Sequence, residues 1–339
     1  MQIARYHVEA CDNAKYLGST EKHSHAVYLE TPMMMQLPLS RLLYMVKMIY
    51  NVSSYFNNSV RVASFLVKIT FQAIISCKNY LNNNGTKTIW NQDVEVIKKK
   101  IHECIELKES YMASYFKVRD GRLRGGEVQK FEFSQQYIFG NFESFCVRLN
   151  RILDMFEKIR MFTNLFKNRL EDLLSEEALL KDKLIFENAI NNLKQREYDT
   201  LDFRDKRFDS DLDDFNKKLG FLTTTLRTKL DKAYWHIWDT HHGLQYLKRF
   251  ETLAPLLEIK DMEQKYKKML LTFKAEMDNI AKVFKRYKNN PPIPRNYPDE
   301  SGSIYWVRSL LSHLRQYIDL LQKERSLTKR KEYNKLIQQ

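Results

Sequence analysis

The chain has 339 residues, of which 43% are hydrophobic and 13% aromatic, so it can bury a substantial core. Only nine glycines and seven prolines interrupt it, which argues against a β-sandwich and favours long helices. The net charge is +14, but the basic residues are mixed with polar and apolar ones along helical patterns, which favours solvated helix faces over a nucleic-acid groove.

The N-terminal part contains one expected irregular segment and two expected helices. We predict that residues 1–38 are irregular, with Pro32 and Pro38 on either side of three methionines that fill core space. Helical periodicity begins at Leu39, and a second apolar run covers residues 62–80. This run should stop at four consecutive residues that tolerate the left-handed conformation: Asn82, Asn83, Asn84 and Gly85.

The sequence predicts further amphipathic helices in the middle of the chain. Residues 90–117 predict one helix with Asp93 as its N-cap, and the glycine-rich stretch 120–130 predicts an exposed loop. Phe131 and Phe133 indicate a short extended piece packed on helices. Apolar stripes then recur over residues 149–174, 175–193, 208–238 and 262–287. Because such stripes must pack on one another, we predict an all-α fold: an elongated array of antiparallel helical bundles with long amphipathic helices.

A proline-rich connector follows the last of these stripes. Four of the seven prolines lie between Pro291 and Pro298, so no helix can cross this segment. Asp299 or Ser301 should cap the next helix. The apolar face of that helix consists of Ile304, Val307, Leu311, Leu314, Ile318 and Leu321.

Trp306 lies off that apolar face, about 200° around the helix from Ile304. A large aromatic side chain there needs a second surface. We therefore expect Trp306 to pack back on the preceding helix around Phe284 and Tyr287.

These elements divide the chain into four regions. They are an irregular segment (1–38), helical bundles (39–290), the proline-rich connector (291–303) and the start of a further bundle (304–339). The last residues stay helix-compatible without a cap, so we expect the chain to be a fragment of a larger protein.

Two motifs in the chain resemble the N-terminal tail, or stem, of dynein heavy chains. The first is an Asn-Pro-Pro element followed by a Gly-x-Ile-x-Trp-x-Arg helix start, formed here by Asn290, Pro291, Pro292, Gly302, Ile304, Trp306 and Arg308. The second is an aromatic element that we interpret as core, formed by Tyr137, Ile138, Phe139, Gly140, Phe142 and Phe145. The resemblance covers most of residues 11–325 and is strongest for axonemal outer-arm heavy chains.

This resemblance implies a structural function in a microtubule-based ciliary motor. It implies association with other dynein heavy chains and a platform for dynein intermediate and light chains, with indirect contact to the axonemal microtubule. It implies a location in the cytoplasm and cytoskeleton, at the cilium axoneme. The ATP-binding motor ring of the family would lie outside this chain.

We find no candidate catalytic, cofactor-binding or metal-binding residues. His236, His241 and His242 lack the i, i+4 spacing of a helical metal site, and no phosphate loop or nucleophile elbow is present. We therefore expect no enzymatic activity, no cofactor, and neither nucleic acid nor membrane as partner. The longest apolar stretch, residues 60–75, is too short and too charged to span a bilayer.

The four cysteines (Cys11, Cys77, Cys104 and Cys146) are far apart and read as buried reduced thiols. An alternative function also remains open: a free-standing basic helical scaffold that binds an anionic partner. Salt dependence would separate the two, because binding to a polyanion weakens steeply with salt.

Overall fold

The computed structural model describes residues 2–54, 56–86, 88–121, 130–168, 170, 173–237, 239–257, 259 and 261–322. Over these residues the chain forms ten α-helices and a short 3-10 helix at Ile89–Asn91, and it contains no strand. The all-α prediction is confirmed. The helices are α1 (Gln2–Leu29), α2 (Pro32–Val52), α3 (Ser59–Leu81), α4 (Val94–Asp120), α5 (Gln135–Asn168), α6 (Glu176–Lys194), α7 (Arg207–Trp235), α8 (Thr240–Leu253), α9 (Met262–Tyr287) and α10 (Asp299–Gln322).

The expectation of an irregular segment over residues 1–38 is wrong, because helices α1 and α2 cover nearly all of it. Pro32 begins α2, where the missing N–H costs nothing. Pro38 lies inside α2 and is buried there. The tertiary packing of α2 on α1 and α4 outweighs the backbone hydrogen bond that Pro38 removes.

The chain forms two compact units. The first comprises residues 1–160 and 192–213, and the second comprises residues 161–191 and 214–339. In the first unit α2 packs against α1, α3 and α4. The core of this unit includes Leu39, Leu66, Ile101 and Phe139, all fully buried.

Two predicted helix ends in the first unit are confirmed. After α3, residues Asn83, Asn84 and Gly85 have φ values of 47°, 55° and 84°, which is the left-handed region that ends a helix. At the start of α4, the carboxylate of Asp93 accepts a hydrogen bond from the backbone N–H of Glu95 at 3.0 Å. Asp93 is therefore the N-cap, as the sequence predicts.

Helix α3 extends beyond the apolar stretch that marks it in the sequence. It has 23 residues and is, by length and composition alone, apolar enough to cross a bilayer, so the expectation that it is too short is wrong. A core helix of a soluble protein passes the same test. One side of α3 is buried, with Leu66, Ala73 and Cys77 fully enclosed, and the helix packs against α1, α2 and α4.

In the second unit, α9 has the predicted bounds, and α8 is a helix that the sequence pattern did not predict. Helix α8 begins after Asp239, whose side chain accepts a hydrogen bond from the backbone N–H of His242 at 3.0 Å. The hydroxyl of Tyr246 on α8 donates to the carbonyl of Leu230 on α7 at 2.9 Å. The hydroxyl of Tyr234 on α7 donates to a carbonyl of α9 at 2.6 Å. These bonds fix α7, α8 and α9 to one another.

Candidate interaction surfaces

The aromatic element at the start of α5 lies in the core of the first unit. Ile138, Phe139, Phe142 and Phe145 are at most 1% exposed. The Phe139 ring meets the Tyr111 ring of α4 edge-on, with centroids 5.1 Å apart. These positions therefore stabilise the fold and offer no surface to a ligand.

Tyr137 and Gly140 of the same element differ from its buried members. The Tyr137 side chain is exposed. A Cβ atom at Gly140 would meet only the flexible end of Gln136, at 3.0 Å. The structure therefore shows no steric requirement for glycine at position 140.

The extended piece before α5 is fixed to α4 by one tyrosine. The hydroxyl of Tyr115 accepts a hydrogen bond from the N–H of Phe133 at 3.0 Å and donates one to its carbonyl at 3.3 Å. The Phe131 and Phe133 side chains are buried and contact each other edge-on at 5.0 Å. Residues 130–134 thus pack on helices without forming a strand.

The second motif forms the junction between α9 and α10. The Trp306 ring stacks on the Phe284 ring of α9, with centroids 6.1 Å apart and planes 9° apart. The expectation that Trp306 packs back on the preceding helix is confirmed at Phe284. Tyr287 instead lies beneath the guanidinium of Arg286, at 5.4 Å.

Gly302 allows the connector to approach α10 closely. A Cβ atom at this position would lie 2.3 Å from a methyl carbon of Ile293 and 3.3 Å from Cβ of Tyr297. Gly302 is buried, and its N–H donates to the carbonyl of Pro298 at 2.8 Å. Glycine is therefore required here for packing between helix and connector.

The connector itself is shorter than expected, because α10 begins at Asp299 and not at residue 304. The prediction that Asp299 or Ser301 caps α10 from outside is wrong for the same reason. Both lie within the first helical turn, where the Ser301 hydroxyl donates to the carbonyl of Pro298 at 3.1 Å. Of the remaining motif residues, Asn290, Pro292 and Arg308 are exposed, and Pro291 is half-buried.

The first half of the apolar side of α10 is exposed, whereas Leu314 and Ile318 further along this side are half-buried. Ile304 is 54% exposed, Val307 39% and Leu311 42%. We call these three residues the α10 apolar face. They lie at spacings of three and four, so they share one side of the helix. The stack on Phe284 uses another side of α10 and leaves this face uncovered.

A cavity of about 700 Å³ with a mixed polar and apolar lining lies in the second unit, and its polar lining includes His236, Asp239, His242 and Arg249. Partial burial alone would raise the pKa of Asp239, but hydrogen bonds from the backbone and ring of His242 hold it below its usual value. Within the described part of the chain, no group of histidine, cysteine and carboxylate side chains is arranged to hold a metal ion.

The sequence analysis missed two buried cations that organise the first unit. Arg148 donates to the carbonyls of Thr200 and Asp205 at 3.2 and 2.8 Å and to the Asp209 carboxylate at 3.1 Å. Lys47 of α2 donates to the carbonyl of Gly121, at the end of α4, at 2.6 Å. Both satisfy acceptors far away in sequence, and no local pattern could have indicated them.

Comparison with known proteins shows the family. The family model described as "Dynein heavy chain, N-terminal region 1" matches residues 1–339. The chain is 35% identical over 315 residues to Dynein axonemal heavy chain 5 of Mus musculus, covering 93% of this chain and 7% of that protein. It is 31% identical over 334 residues to Dynein axonemal heavy chain 8 of Mus musculus, covering 98% and 7%.

A more distant relative is the flagellar outer arm Dynein gamma chain of Chlamydomonas reinhardtii, 28% identical over 344 residues, covering 99% of this chain and 8% of that protein. The chain thus spans less than a tenth of the length of these relatives. The matched region is the tail, which lacks the motor domain. The chain belongs to the N-terminal region 1 family of dynein heavy chains, as a tail segment of the axonemal type.

Proposed function

We propose that this chain is an assembly segment of an axonemal dynein heavy chain tail. In this function it associates with other dynein heavy chains and supports docking of intermediate and light chains in the ciliary motor, with indirect attachment to the axonemal microtubule. The observation that carries the proposal is the exposed α10 apolar face beside the Trp306 junction.

An uncovered apolar face on a helix is a typical docking element. Covering a large aliphatic side chain completely stabilises a complex by roughly 1.5–3 kcal/mol relative to leaving it in water. Three such residues at helical spacing can enter the groove of a partner helix pair. Ile304, Val307 and Leu311 have this spacing, and Gly302 and Trp306 hold α10 in place behind them.

The junction also suits a segment that carries load. The connector is stiff because proline restricts its backbone, and it is packed against α10 at Gly302 and Ile293. Closely packed interiors have low compressibility and transmit strain. Force applied to one helix would therefore reach the next with little loss.

The proposed function does not include catalysis. We expect the purified chain neither to bind ATP tightly nor to hydrolyse it, because the family region is the tail and the sequence holds no phosphate loop. Calorimetry with MgATP would check this, and stoichiometric binding would contradict it.

Co-precipitation from dissociated axonemal dynein tests the docking proposal. The tagged 339-residue chain should capture dynein heavy, intermediate or light chains, identified by mass spectrometry. The double variant Ile304→Glu/Leu311→Glu should lose this capture. Leu271→Glu, which places one carboxylate at an exposed leucine of α9, should retain it.

The salt dependence of the capture separates apolar docking from the alternative of a basic scaffold on an anionic partner. Apolar docking should persist between about 0.1 and 0.5 M salt, whereas contacts between exposed charges are largely screened over this range. Two results would contradict the proposal: capture that disappears at the higher salt concentration, and capture that the double variant on α10 does not reduce.

A further inference from the structure

A concave apolar groove lies in the first unit between α1, α2 and α3. Its volume is about 320 Å³, the space of roughly ten water molecules at about 30 Å³ each, so a large side chain fits inside. Its apolar lining includes Leu17 of α1, Val46 and Ile49 of α2, and Phe56, Val62 and Phe65.

Several lining side chains remain in contact with water. Leu17 is 46% exposed, Phe56 40% and Phe65 37%. Exposed apolar groups that converge on one concavity mark a binding site more strongly than the same groups scattered singly. The groove is therefore a candidate for an inserted apolar anchor.

The charge around the groove has one sign on the α2 and α3 side. Residues 31–92, which include both helices, contain no aspartate or glutamate. Arg61 lines the groove, and the exposed Lys68 lies seven residues further along the same side of α3. Among the described residues that line the groove, Arg61 is the one with a charged side chain. The Glu9 carboxylate of α1 bonds the hydroxyls of Ser53 and Ser54.

From these observations we propose that the groove binds an acidic amphipathic helix of a partner protein. The helix inserts one large apolar side chain between Leu17 and Phe65, and its flanking carboxylates face Arg61 and Lys68. This follows the helix-in-groove mode of recognition, in which apolar anchors give affinity and charge complementarity gives specificity. The proposal goes beyond the function above, because the groove and the α10 apolar face belong to different units.

The shape of the groove favours a protein helix over a lipid surface. A basic and apolar surface could also attract an anionic membrane. A side chain can enter a concavity of about 320 Å³, whereas a flat bilayer would contact only its rim. The lipid is therefore an outcome of the test and not the proposed occupant.

Fluorescence anisotropy with a designed probe tests the proposal on the 339-residue chain. The probe is a helix-stapled peptide of about 20 residues, with phenylalanine and leucine along one side and glutamate beside them. A second peptide carries lysine at every glutamate position. We expect the acidic peptide to bind at least tenfold more tightly than the basic one, and the difference to shrink as salt is added.

Matched variants locate the binding. Leu17→Glu places a carboxylate in the groove, and Leu37→Glu places one on α2 outside the lining residues, where the native leucine is 58% exposed. The first should weaken binding of the acidic peptide about tenfold, as for a central anchor position, and the second should change it less than twofold. Arg61→Glu should reverse the preference between the two peptides. Phe65→Ser provides a second groove variant if circular dichroism shows that Leu17→Glu is not folded.

Four results would overturn the proposal. The first is no binding of either peptide, and the second is equal binding of both. The third is binding to phosphatidylserine vesicles that Leu17→Glu abolishes while the peptide does not bind. The fourth is a dimer in light scattering that Leu17→Glu dissociates, since a second copy would then occupy the groove. The proposed function is tested separately, because its variants lie on α10.

Discussion

Truncation of the Trp306 ring should weaken the junction between α9 and α10 by about 2.5–4 kcal/mol. The Trp306 side chain is mostly buried, and its ring stacks on the Phe284 ring with the two planes inclined by 9°. A fully buried aromatic side chain removes roughly 150–250 Å² from water. About two thirds of that area, at ~25 cal/mol per Å², corresponds to roughly 2.5–4 kcal/mol. Ring stacking adds about 0.5–1.5 kcal/mol to this value. Energies calculated from buried area are upper estimates, which lowers it, so the two corrections oppose each other.

Hydrogen–deuterium exchange is the assay for Trp306→Ala, because it reports the local opening free energy of α9 and α10 within the full chain. A single global unfolding transition is not expected of a chain with two units. The control is Trp235→Ala, which removes an exposed ring of α7 that lies under the ammonium of Lys268 at 4.4 Å. This control should change local stability by no more than about 1 kcal/mol.

A double-mutant cycle identifies the contact responsible. Trp306→Ala and Phe284→Ala should couple by about 0.5–1.5 kcal/mol, because each removes the same stack. If Trp306→Ala shifts the opening free energy of the junction by less than about 0.5 kcal/mol, the ring contributes no packing and the reasoning fails. Additive single effects would likewise show that the two rings stabilise the junction independently.

Three further predictions follow from single contacts. Gly302→Ala should destabilise the junction by about 1–3 kcal/mol, because the Cβ of the new alanine would overlap Ile293. Gly140→Ala should instead be neutral or stabilising by up to about 1 kcal/mol. Hydrogen–deuterium exchange rates of α10 and α5 would show the two effects. Lys47→Met should lower the unfolding free energy of the first unit by roughly 2–4 kcal/mol in thermal or urea melts, because it leaves carbonyls at the end of α4 unpaired. An unchanged unfolding free energy would show that the hydrogen bond from Lys47 to the Gly121 carbonyl does not stabilise the unit. Burial, and then nearby basic side chains, lower the pKa of His23 below 6.5. Just below pH 6.5 the unfolded chain therefore binds more protons than the folded chain, so the free energy of unfolding should rise with pH in that window. The rise should be steeper for the native chain than for His23→Gln. Equal slopes of unfolding free energy against pH, measured by urea melts of the two proteins, would refute this.

The sequence predicts best those elements whose ends are determined by nearby residues. Helix α9 has the predicted bounds because a continuous apolar period fills it and prolines follow it. The turn after α3 was predicted because asparagine and glycine tolerate the left-handed conformation. Helix α1 was missed because it is mostly polar, with only Asn13 and Val27 buried, and it forms by packing on α2.

The orientation of a helix was harder to predict than its existence. Leu180 and Leu184 of α6 lie in the apolar stripe over residues 175–193, which was expected to pack on other helices, but both side chains are exposed. Asp182, which lies between them, is buried and pairs with Lys229 of α7 at 2.8 Å. A hydrophobic pattern cannot reveal such a pair, because a buried carboxylate is acceptable only when its distant partner is present.

Helix α10 shows what the mismatch between pattern and structure means for function. Its apolar period predicts a face that must be covered, and the period correctly predicts the helix. Periodicity cannot say, however, whether the covering surface belongs to the same chain. In this chain Trp306 and Gly302 attach α10 to its own neighbours, while Ile304, Val307 and Leu311 remain exposed. The sequence therefore encodes two different packing surfaces on one helix. The one satisfied within the chain defines the junction, and the unsatisfied one defines where a partner should bind.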